Sequence, residues 1–472
     1  MTEPILSEND IVTSRALDYK QKALRHGNLQ YVQVFSNQFG TPITLNSGQS
    51  PVVFNLPTEV MNFGQSHLLY TVILPAPTAG AGTYIWYPTD TISEISHIQL
   101  YGGTNQWICD LDTVGNYYKI CGKSETSQAE FQSNDFRNRL YPSNSLNNTI
   151  PALRVLGGSA VAQPSLRNYV EPSYFQRGES GAEVRYQVDI SLRQLKNTIL
   201  AMDKNFYFNQ IIYMKIFFGP LTKIAYQSTA ADNPGNGAPA NYVTADTLGP
   251  RIENLQLMLA VETNPDERSH VMSKVMNGGM SLIIPYVQNF KNPNTGSSEN
   301  VNVQLDIGFG RTLLKMYHSV FCNVEQLSTM YDCSNLPIDG TLLSLNQKVN
   351  TYYTSLNNRR NQMITLDCTR NGFHTDYMQQ KNGLKGSVVE DRDMFQYNWF
   401  HLDDWSSFST NYIQDGEDYL MSGVAMGPTP ITWTFNGLTM NGTPLVGTGY
   451  NHYTYGIFTK RLTITPTGPM VD

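Results

Sequence analysis

The stretch that decides the fold runs from Ile92 to Cys121 and reads ISEISHIQLYGGTNQWICDLDTVGNYYKIC. Polar and apolar residues alternate from His97 to Tyr101, which predicts a strand with one packed face. The pair Gly102-Gly103 predicts a tight turn, because glycine accepts positive φ without a steric cost. Residues 106–109 then predict a short return strand, so the stretch begins as a β-hairpin.

A helix is predicted directly after this hairpin. Asp110 stands where the helix N-cap is expected. Apolar residues then recur at helical spacing and predict one packed face, namely Leu111, Val114, Tyr118 and Cys121. We expect the helix to pack across the first β unit, with Trp107 nearby as a large buried anchor. The predicted structural site therefore consists of Trp107, Asp110, Leu111, Val114 and Tyr118.

The run IQLYGGTNQWICDLDTVGNYYKI, with the upstream segments SPVVFNLP and HLLYTVILP, resembles the double jelly-roll major capsid proteins of double-stranded DNA viruses. The similarity is greatest to those of polinton-like viruses and virophages, and it is clearest over the first third of the chain. The resemblance implies a homotrimer whose six jelly rolls form a pseudo-hexagonal capsomer. Such capsomers would tile an icosahedral shell together with neighbouring trimers, penton proteins and minor capsid proteins.

Strand patterns fill the remainder of the chain in two groups. The first group comprises 31–35, 52–56, 68–74, 184–192, 211–218 and 255–261, and the second comprises 282–287, 301–309, 313–320, 397–402, 431–435 and 456–465. Between the groups, Asn264 is a predicted N-cap with Pro265 at the first helical position. This helix would present an apolar face of Val271, Met272, Val275 and Met276. A second short helix is predicted at 325–331.

The pattern predicts an all-β fold, two tandem eight-stranded jelly rolls (a double jelly roll) with short helices and long loop insertions. We assign residues 1–28 to an N-terminal arm, 29–263 to the first jelly roll, 264–278 to a linker helix and 279–472 to the second jelly roll. The long insertions are 123–183, 222–249, 334–361 and 369–395. A lectin-like sandwich or an immunoglobulin tandem also fits spaced strands, but long insertions and mid-domain helices favour jelly rolls.

Composition limits the classes of function. Charged residues are 15% and hydrophobic residues 40% of the chain, which suits a large core and a weakly charged surface buried against partner subunits. A loop-rich β protein without partners would have the same composition. The net charge of −7 disfavours general attraction to nucleic acid. If the chain encloses a genome, as the resemblance implies, it does so as a container. Five irregularly spaced cysteines argue against a disulfide scaffold.

The N-terminal residues MTEPILSEND lack the basic and apolar regions of a secretion signal. No apolar run approaches the ~20 residues that span a bilayer. We therefore expect a soluble protein made inside the host cell and located in the virion capsid. The arm has an apolar stripe, Ile11, Val12 and Ala16, followed by a basic cluster, Lys20, Lys22, Arg25 and His26. It is either a contact to an internal membrane, the genome or a neighbouring subunit, or a frayed terminus.

Residues that could support chemistry are few. Asp403 and Asp404, within the segment WFHLDDW at 399–405, resemble the acidic and aromatic lining of a sugar cleft. Adjacent carboxylates on a strand point to opposite faces, however. His374 and Asp376 have no third metal ligand nearby. No nucleophile elbow, phosphate-binding loop or HExxH motif occurs. We predict no enzyme activity, no catalytic, cofactor-binding or metal-binding residues, no cofactor and no small-molecule substrate.

Three hypotheses remain after this reading. The first is a viral major capsid protein, the second a carbohydrate-binding or carbohydrate-cleaving β-sandwich protein, and the third a minor or scaffold double jelly-roll virion protein. Fold alone does not separate them, since jelly rolls host lectins and capsids alike. A stable trimer would support the two virion hypotheses, whereas a sugar-binding monomer would support the second.

Overall fold

The structure is a computed structural model. It describes residues 28–44, 51–74, 84–88, 95–103, 107–115, 117, 139–140, 174–177, 184–218, 226–228, 251–293, 301–305, 311–322, 344–349, 352–353, 359–360, 400–404, 424–425, 431–436, 439–440, 443–444 and 450–471. The arm residues 1–27, the predicted helix at 325–331 and most of the long insertions lie outside these ranges. No helix in the described ranges is long and apolar enough to cross a membrane.

Two antiparallel sheets, each built on four long strands, form the first half. The strands are β1 (Leu29–Phe35), β2 (Val52–Leu56), β3 (Val60–Leu74), β4 (Ile95–Tyr101), β5 (Trp107–Asp112), β6 (Val184–Ser191), β7 (Ile212–Phe218) and β8 (Arg251–Glu262). Their order is β1-β8-β3-β6 in one sheet and β2-β7-β4-β5 in the other. Two facing four-stranded sheets with this exchange of strands form a jelly roll.

The second half repeats this order. Its strands are β9 (Met280–Pro293), β10 (Val301–Leu305), β11 (Thr312–Cys322), β12 (Ser344–Val349), β13 (Tyr352–Tyr353), β14 (Phe400–Asp404), β15 (Ile431–Asn436) and β16 (Tyr450–Thr465). The sheets have the orders β9-β16-β11-β14 and β10-β15-β12-β13, so each strand is the equivalent of the strand eight numbers earlier. The predicted all-β double jelly roll is confirmed.

Short strands extend these sheets. Ile43–Thr44, Arg139–Leu140 and Asn205–Tyr207 join the first sheet, while Val424–Ala425, Gly468–Val471 and Arg359–Arg360 join those of the second half. Segments of the two insertions at 123–183 and 222–249 meet in a separate sheet of Tyr226–Ser228, Tyr84–Pro88 and Tyr174–Arg177, and Thr439–Met440 pairs with Thr443–Pro444. The described parts of the insertions therefore form strand pairs of their own in addition to connecting the main strands.

Helix α1 (Pro265–Gly278) joins the halves, and it begins as predicted: the Asn264 side chain accepts the backbone N–H of Asp266 at 3.0 Å. Its buried face is narrower than predicted, because Val271 and Val275 are buried whereas Met276 is 49% exposed. Two 3-10 turns, Leu192–Gln194 and Ile199–Ala201, lie between β6 and β7.

Strands β3 and β7 form where the sequence predicted strands, but each packs one face more completely than the other. β7 lies centrally, between β2 and β4, and buries every second side chain from Ile212 to Phe218. In β3, Ile73 is buried, whereas Leu69 is half-buried. The second faces of these two strands are therefore covered only partly.

Candidate functional site

A network of polar side chains lies where the two halves meet. In this contact, which we call the seam, β5 and the turn after it pack against β9 and against the strand Gly468–Val471. Residues of β16 complete it. Three of the residues that the sequence predicted as a structural site, Asp110, Leu111 and Val114, lie in β5 and the turn after it, so we describe the seam from the backbone upward.

The turn after β5 depends on the second half for its conformation. Thr113 has a φ of 50°, a left-handed value that costs a threonine roughly 1–2 kcal/mol. The Asp112 carboxylate accepts the Thr113 backbone N–H at 2.8 Å. Across the seam, the Thr113 hydroxyl hydrogen-bonds the Tyr455 hydroxyl at 2.7 Å and accepts the Asn289 side-chain N–H at 2.8 Å. These bonds offset the backbone cost and tie the turn to β9 and β16.

Two buried tyrosines form the apolar part of the seam. Tyr117 follows the turn and is 1% exposed, and Tyr455 of β16 is fully buried. Their ring centroids are 5.2 Å apart. The Tyr117 hydroxyl donates to the Lys196 carbonyl at 2.8 Å and accepts from the Asn197 amide at 3.0 Å. Both rings thus combine large buried area with satisfied hydroxyl groups.

Two glycines allow the halves to approach each other around Gln210. A Cβ on Gly102 would lie 2.5 Å from the Gln210 side-chain nitrogen and 2.9 Å from the Pro469 ring. A Cβ on Gly468 would lie 2.5 Å from the same nitrogen. The hairpin turn is present, but the predicted reason is wrong: among the described glycines only Gly40, Gly279 and Gly468 have positive φ. Gly102 is required by close approach across the seam.

Asp110 carries the negative charge of the seam. Its carboxylate lies 2.5 Å from His97 Nε2 and accepts the Gln99 side-chain N–H at 3.0 Å. Burial acts to raise the pKa of the Asp110 carboxyl, but the hydrogen bonds from His97 and Gln99 hold that pKa below its ordinary value. Asp110 is therefore a carboxylate held by its neighbours on β4.

Burial shifts three further groups in this region. It lowers the pKa of Lys460 to about 8, assisted by Arg311. The Lys460 amine lies 3.4 Å from the centre of the Tyr286 ring, and burial raises the pKa of Tyr286 to about 12. Burial, with Asp110 nearby, also raises the pKa of the Cys109 thiol to about 12. A thiol with this pKa stays protonated near neutrality and is a poor nucleophile.

Two of the predicted roles in the structural site are wrong. Asp110 is no helix N-cap, because pairing with β4 continues the strand through Asp112 and the helical turn begins only at Val114. Trp107 is no buried anchor, because it begins an edge strand and is 39% exposed, with its ring 5.1 Å from that of Tyr101. The extended pairing explains both differences.

The other three residues of the predicted site were expected to pack from one helix, and the structure differs in part. Leu111 and Val114 are buried, but Leu111 lies in β5 rather than on a helix. Tyr118 lies outside the described residues, and Tyr117 is the aromatic that reaches the second half. Sequence reasoning missed Thr113, Tyr117, Gln210, Tyr455 and Lys460. Of these, only Tyr117 could have been found from the local sequence. A helix that begins after Asp112, rather than after Asp110, places Tyr117 instead of Tyr118 on its inward face.

The described geometry lends no support to the sugar-cleft hypothesis. Asp403 and Asp404 are consecutive residues of β14, paired with β11. Trp399 and Trp405, which that hypothesis requires, lie outside the described residues, as do His374 and Asp376. In the ranges that the structure describes, no three His, Cys, Asp or Glu side chains cluster as metal ligands would.

Several known structures with a similar fold come from viruses. A chain of the Sputnik virophage structure is 12% identical, with a TM-score of 0.54 over 94% of this chain and 89% of that chain. PBCV-1 VP54, fitted into a reconstruction of the virophage Sputnik, is 9% identical, with a TM-score of 0.52 over 95% and 97%. The mavirus major capsid protein is 12% identical, with a TM-score of 0.50 over 94% and 90%.

No protein-family model and no curated protein matches the sequence. At identities this low, the structural likeness concerns the fold. It agrees with the repeated strand order of the two halves, and the chain therefore has the double jelly-roll fold of these viral proteins.

Proposed function

We propose that the chain is a viral major capsid protein that acts by self-assembly and has no enzymatic role. In this proposal three copies form a pseudo-hexagonal capsomer, and capsomers tile an icosahedral shell that encloses a double-stranded DNA genome. The fold shared with the mavirus major capsid protein supports a capsid role. The proposed location is the virion capsid, with neighbouring trimers, penton proteins and minor capsid proteins as partners.

The observation that carries the proposal is that the two halves share one topology, yet an apolar surface that is covered in the second half is exposed in the first. The first half covers β9 through β5 at the seam. β1 is the equivalent strand of the first half, yet within the described chain its substantial contacts are to β8 and β2. The chain therefore contains one covered and one uncovered copy of the same surface.

The uncovered residues, which we call the β1 surface, are Leu29, Tyr31 and Phe35 on one face of β1, Val32 on its other face, and Phe39 after the strand. These are five of the ten exposed large hydrophobic side chains among the described residues, and their exposures run from 37% to 55%. The rings of Phe35 and Phe39 lie 4.3 Å apart. Such a cluster is typical of a protein interface, because isolated exposed apolar residues do not gather in this way on a monomer.

A second copy of the chain can cover the β1 surface with its second half, as the first half covers β9. The contact would then be heterologous, joining the tail of one chain to the head of the next. Repetition closes into a ring of three chains and six halves. Each contact should bury at least about 1,600 Å², the usual size of a stable interface.

Within this proposal the chain divides as its strand pairing suggests. Every described pairing stays on its own side of α1. This supports the division into a first jelly roll at 29–263, a linker helix at 264–278 and a second jelly roll at 279–472, preceded by an arm at 1–28.

The test is the mass of the native protein and of a β1-surface variant. Light scattering should give three times the chain mass for the wild type. Tyr31→Ser with Phe35→Ser should give a folded monomer, because the substitutions remove apolar area from the surface that the second copy covers. Ile211→Ser is the matched control, since Ile211 is 48% exposed outside the β1 surface.

A wild-type monomer at micromolar concentration would contradict the capsid proposal. If the variant with both substitutions is still a trimer, the capsid proposal stands, but the assignment of the β1 surface to the trimer contact is overturned. Circular dichroism of each variant separates loss of assembly from loss of folding.

A further inference from the structure

One face of α1 borders a groove of about 650 Å³. Residues three and four positions apart line it, including Arg268, Met272 and Met276, and Thr263 and Asn277 mark its two ends. Met276 is 49% exposed there, while Val275 on the other face of the helix is fully buried. The groove thus combines an exposed methionine with polar walls.

The chain enters the described structure at one end of this groove. The Asn28 carbonyl accepts the Thr263 backbone N–H at 2.8 Å and its hydroxyl at 2.5 Å. The Asn28 backbone N–H donates to Glu262 at 2.7 Å. Residues 1–27 therefore leave from the Thr263 end of the groove. A helix of 14 residues is about 21 Å long, so these residues are long enough to follow α1 along its whole length.

The charges of the two segments are complementary at that end. The part of the arm next to Asn28 contains the basic residues Lys20, Lys22 and Arg25. The first turn of α1, beside Thr263, contains Asp266 and Glu267. Neither carboxylate lines the groove, and the one charged residue that does, Arg268, is paired with Glu59. The two carboxylates would therefore attract the basic residues from beside the groove, where the arm leaves Asn28, which favours one direction of docking.

The apolar spacing of the arm matches the length of the groove. Val12, Ala16, Tyr19 and Ala23 recur at intervals of four, three and four, the pattern of one helical face. In a helix, Val12 would lie about 24 Å from Asn28, the distance needed to reach the far half of α1. Met276 lies in that half.

We propose that residues 1–27 dock in this groove of their own chain, antiparallel to α1. The face of Val12, Ala16, Tyr19 and Ala23 would cover Met272 and Met276, and the basic residues would lie near the first turn of α1, which contains Asp266 and Glu267. The inference goes beyond the proposed capsid function and does not depend on it. The arm would then lie beside α1, the helix that joins the two jelly rolls.

Limited proteolysis of the full chain tests the docking. Trypsin cleaves after Lys20, Lys22 and Arg25, and cleavage follows the population of undocked arm. Met276→Asp should speed this cleavage by about tenfold, because it places a charge against the apolar stripe. Met470→Asp is the matched control, since Met470 is 47% exposed away from the groove, and it should cleave like the wild type. Equal rates in the wild type and Met276→Asp would overturn the proposal.

A photo-crosslinker at position 276 identifies the occupant independently. In protein assembled from an equal mixture of heavy- and light-isotope chains, we expect crosslinks to residues 1–27 of the same isotope only. Crosslinks between isotopes would show that the arm of a second copy occupies the groove. Absence of any crosslink to the arm would show that it binds elsewhere, such as lipid or DNA. Either of these two results overturns the proposal.

Discussion

Strands β1 and β9 hold the same position in the two halves, but their surroundings differ. β9 buries Met280, Leu282, Ile284 and Val287, and β5 of the first half packs against it. Among the large apolar side chains of β1, only Val34 is buried. Equivalent topology therefore does not determine burial. The neighbour beyond the sheet does, and the uncovered strand marks where another chain is expected. The following predictions test this contrast through the free energy of unfolding.

The largest effect is expected at the seam. Tyr455→Ala should lower the free energy of unfolding by about 3–5 kcal/mol, as for other large buried side chains, because it leaves a cavity beside Tyr117. Urea denaturation measures this loss. Tyr455→Phe keeps the ring and removes only the hydroxyl, so it should cost about 1 kcal/mol. Equal losses in the two variants would mean that the seam depends on its hydrogen bonds rather than on packing.

A smaller effect is expected where the halves approach most closely. Gly102→Ala should cost about 1–3 kcal/mol, because the added methyl would overlap the rigid Pro469 ring as well as Gln210. Gly103→Ala is the adjacent control, because its added methyl would lie 3.2 Å from a Gln210 side-chain oxygen and clear of the Pro469 ring. Thermal denaturation of both variants should separate them clearly. Identical melting temperatures would contradict the close approach.

The charge of Lys460 should make the seam sensitive to pH. Its pKa of about 8 in the folded chain lies below the ordinary lysine value of 10.5, so the unfolded chain binds more protons between these values. The destabilisation is full below pH 8 and decreases as the pH rises toward 10.5. The stability of Lys460→Met relative to the wild type should therefore fall over this range. Chemical denaturation across the range measures the difference.

The control for Lys460 is Lys274→Met, which removes an amine from the exposed face of α1. Cys109 and Tyr286, whose pKa values burial raises to about 12, are present in both the wild type and the variant. Because the charge of Lys460 acts to lower the pKa of Cys109, the comparison reports Lys460 together with its effect on that thiol. A difference that stays constant with pH would mean that the amine is well solvated at the seam.

The smallest effect on folding is expected at the β1 surface. Tyr31→Ala should change the free energy of unfolding of the isolated chain by no more than about 0.5 kcal/mol, because Tyr31 is 55% exposed. Its effect should appear in the concentration dependence of unfolding, which coupling to assembly produces. Urea denaturation at several protein concentrations measures both quantities. A loss as large as that of Tyr455→Ala would remove the contrast between the two strands.

Local patterns in the sequence were sufficient to predict the all-β fold, most long strands and the start of α1. Strand alternation depends on residues two apart, and the Asn264-Pro265 start depends on a single turn. The pairing across the seam has no such local signal. Thr113 and Tyr455 are 342 residues apart in the chain, and nothing in either neighbourhood marks them as partners.

The stretch around Asp110 shows which features the sequence determined by itself and which features only the tertiary structure decided. By itself the sequence determined that a hairpin forms there and that Leu111 and Val114 are buried, because short-range spacing and hydrophobicity specify both. Only the tertiary structure decided that the strand continues to Asp112, that Trp107 remains at the edge and that Tyr117 reaches Tyr455. Cross-strand pairing and the approach of the second half determine these features, and both depend on residues remote in the chain.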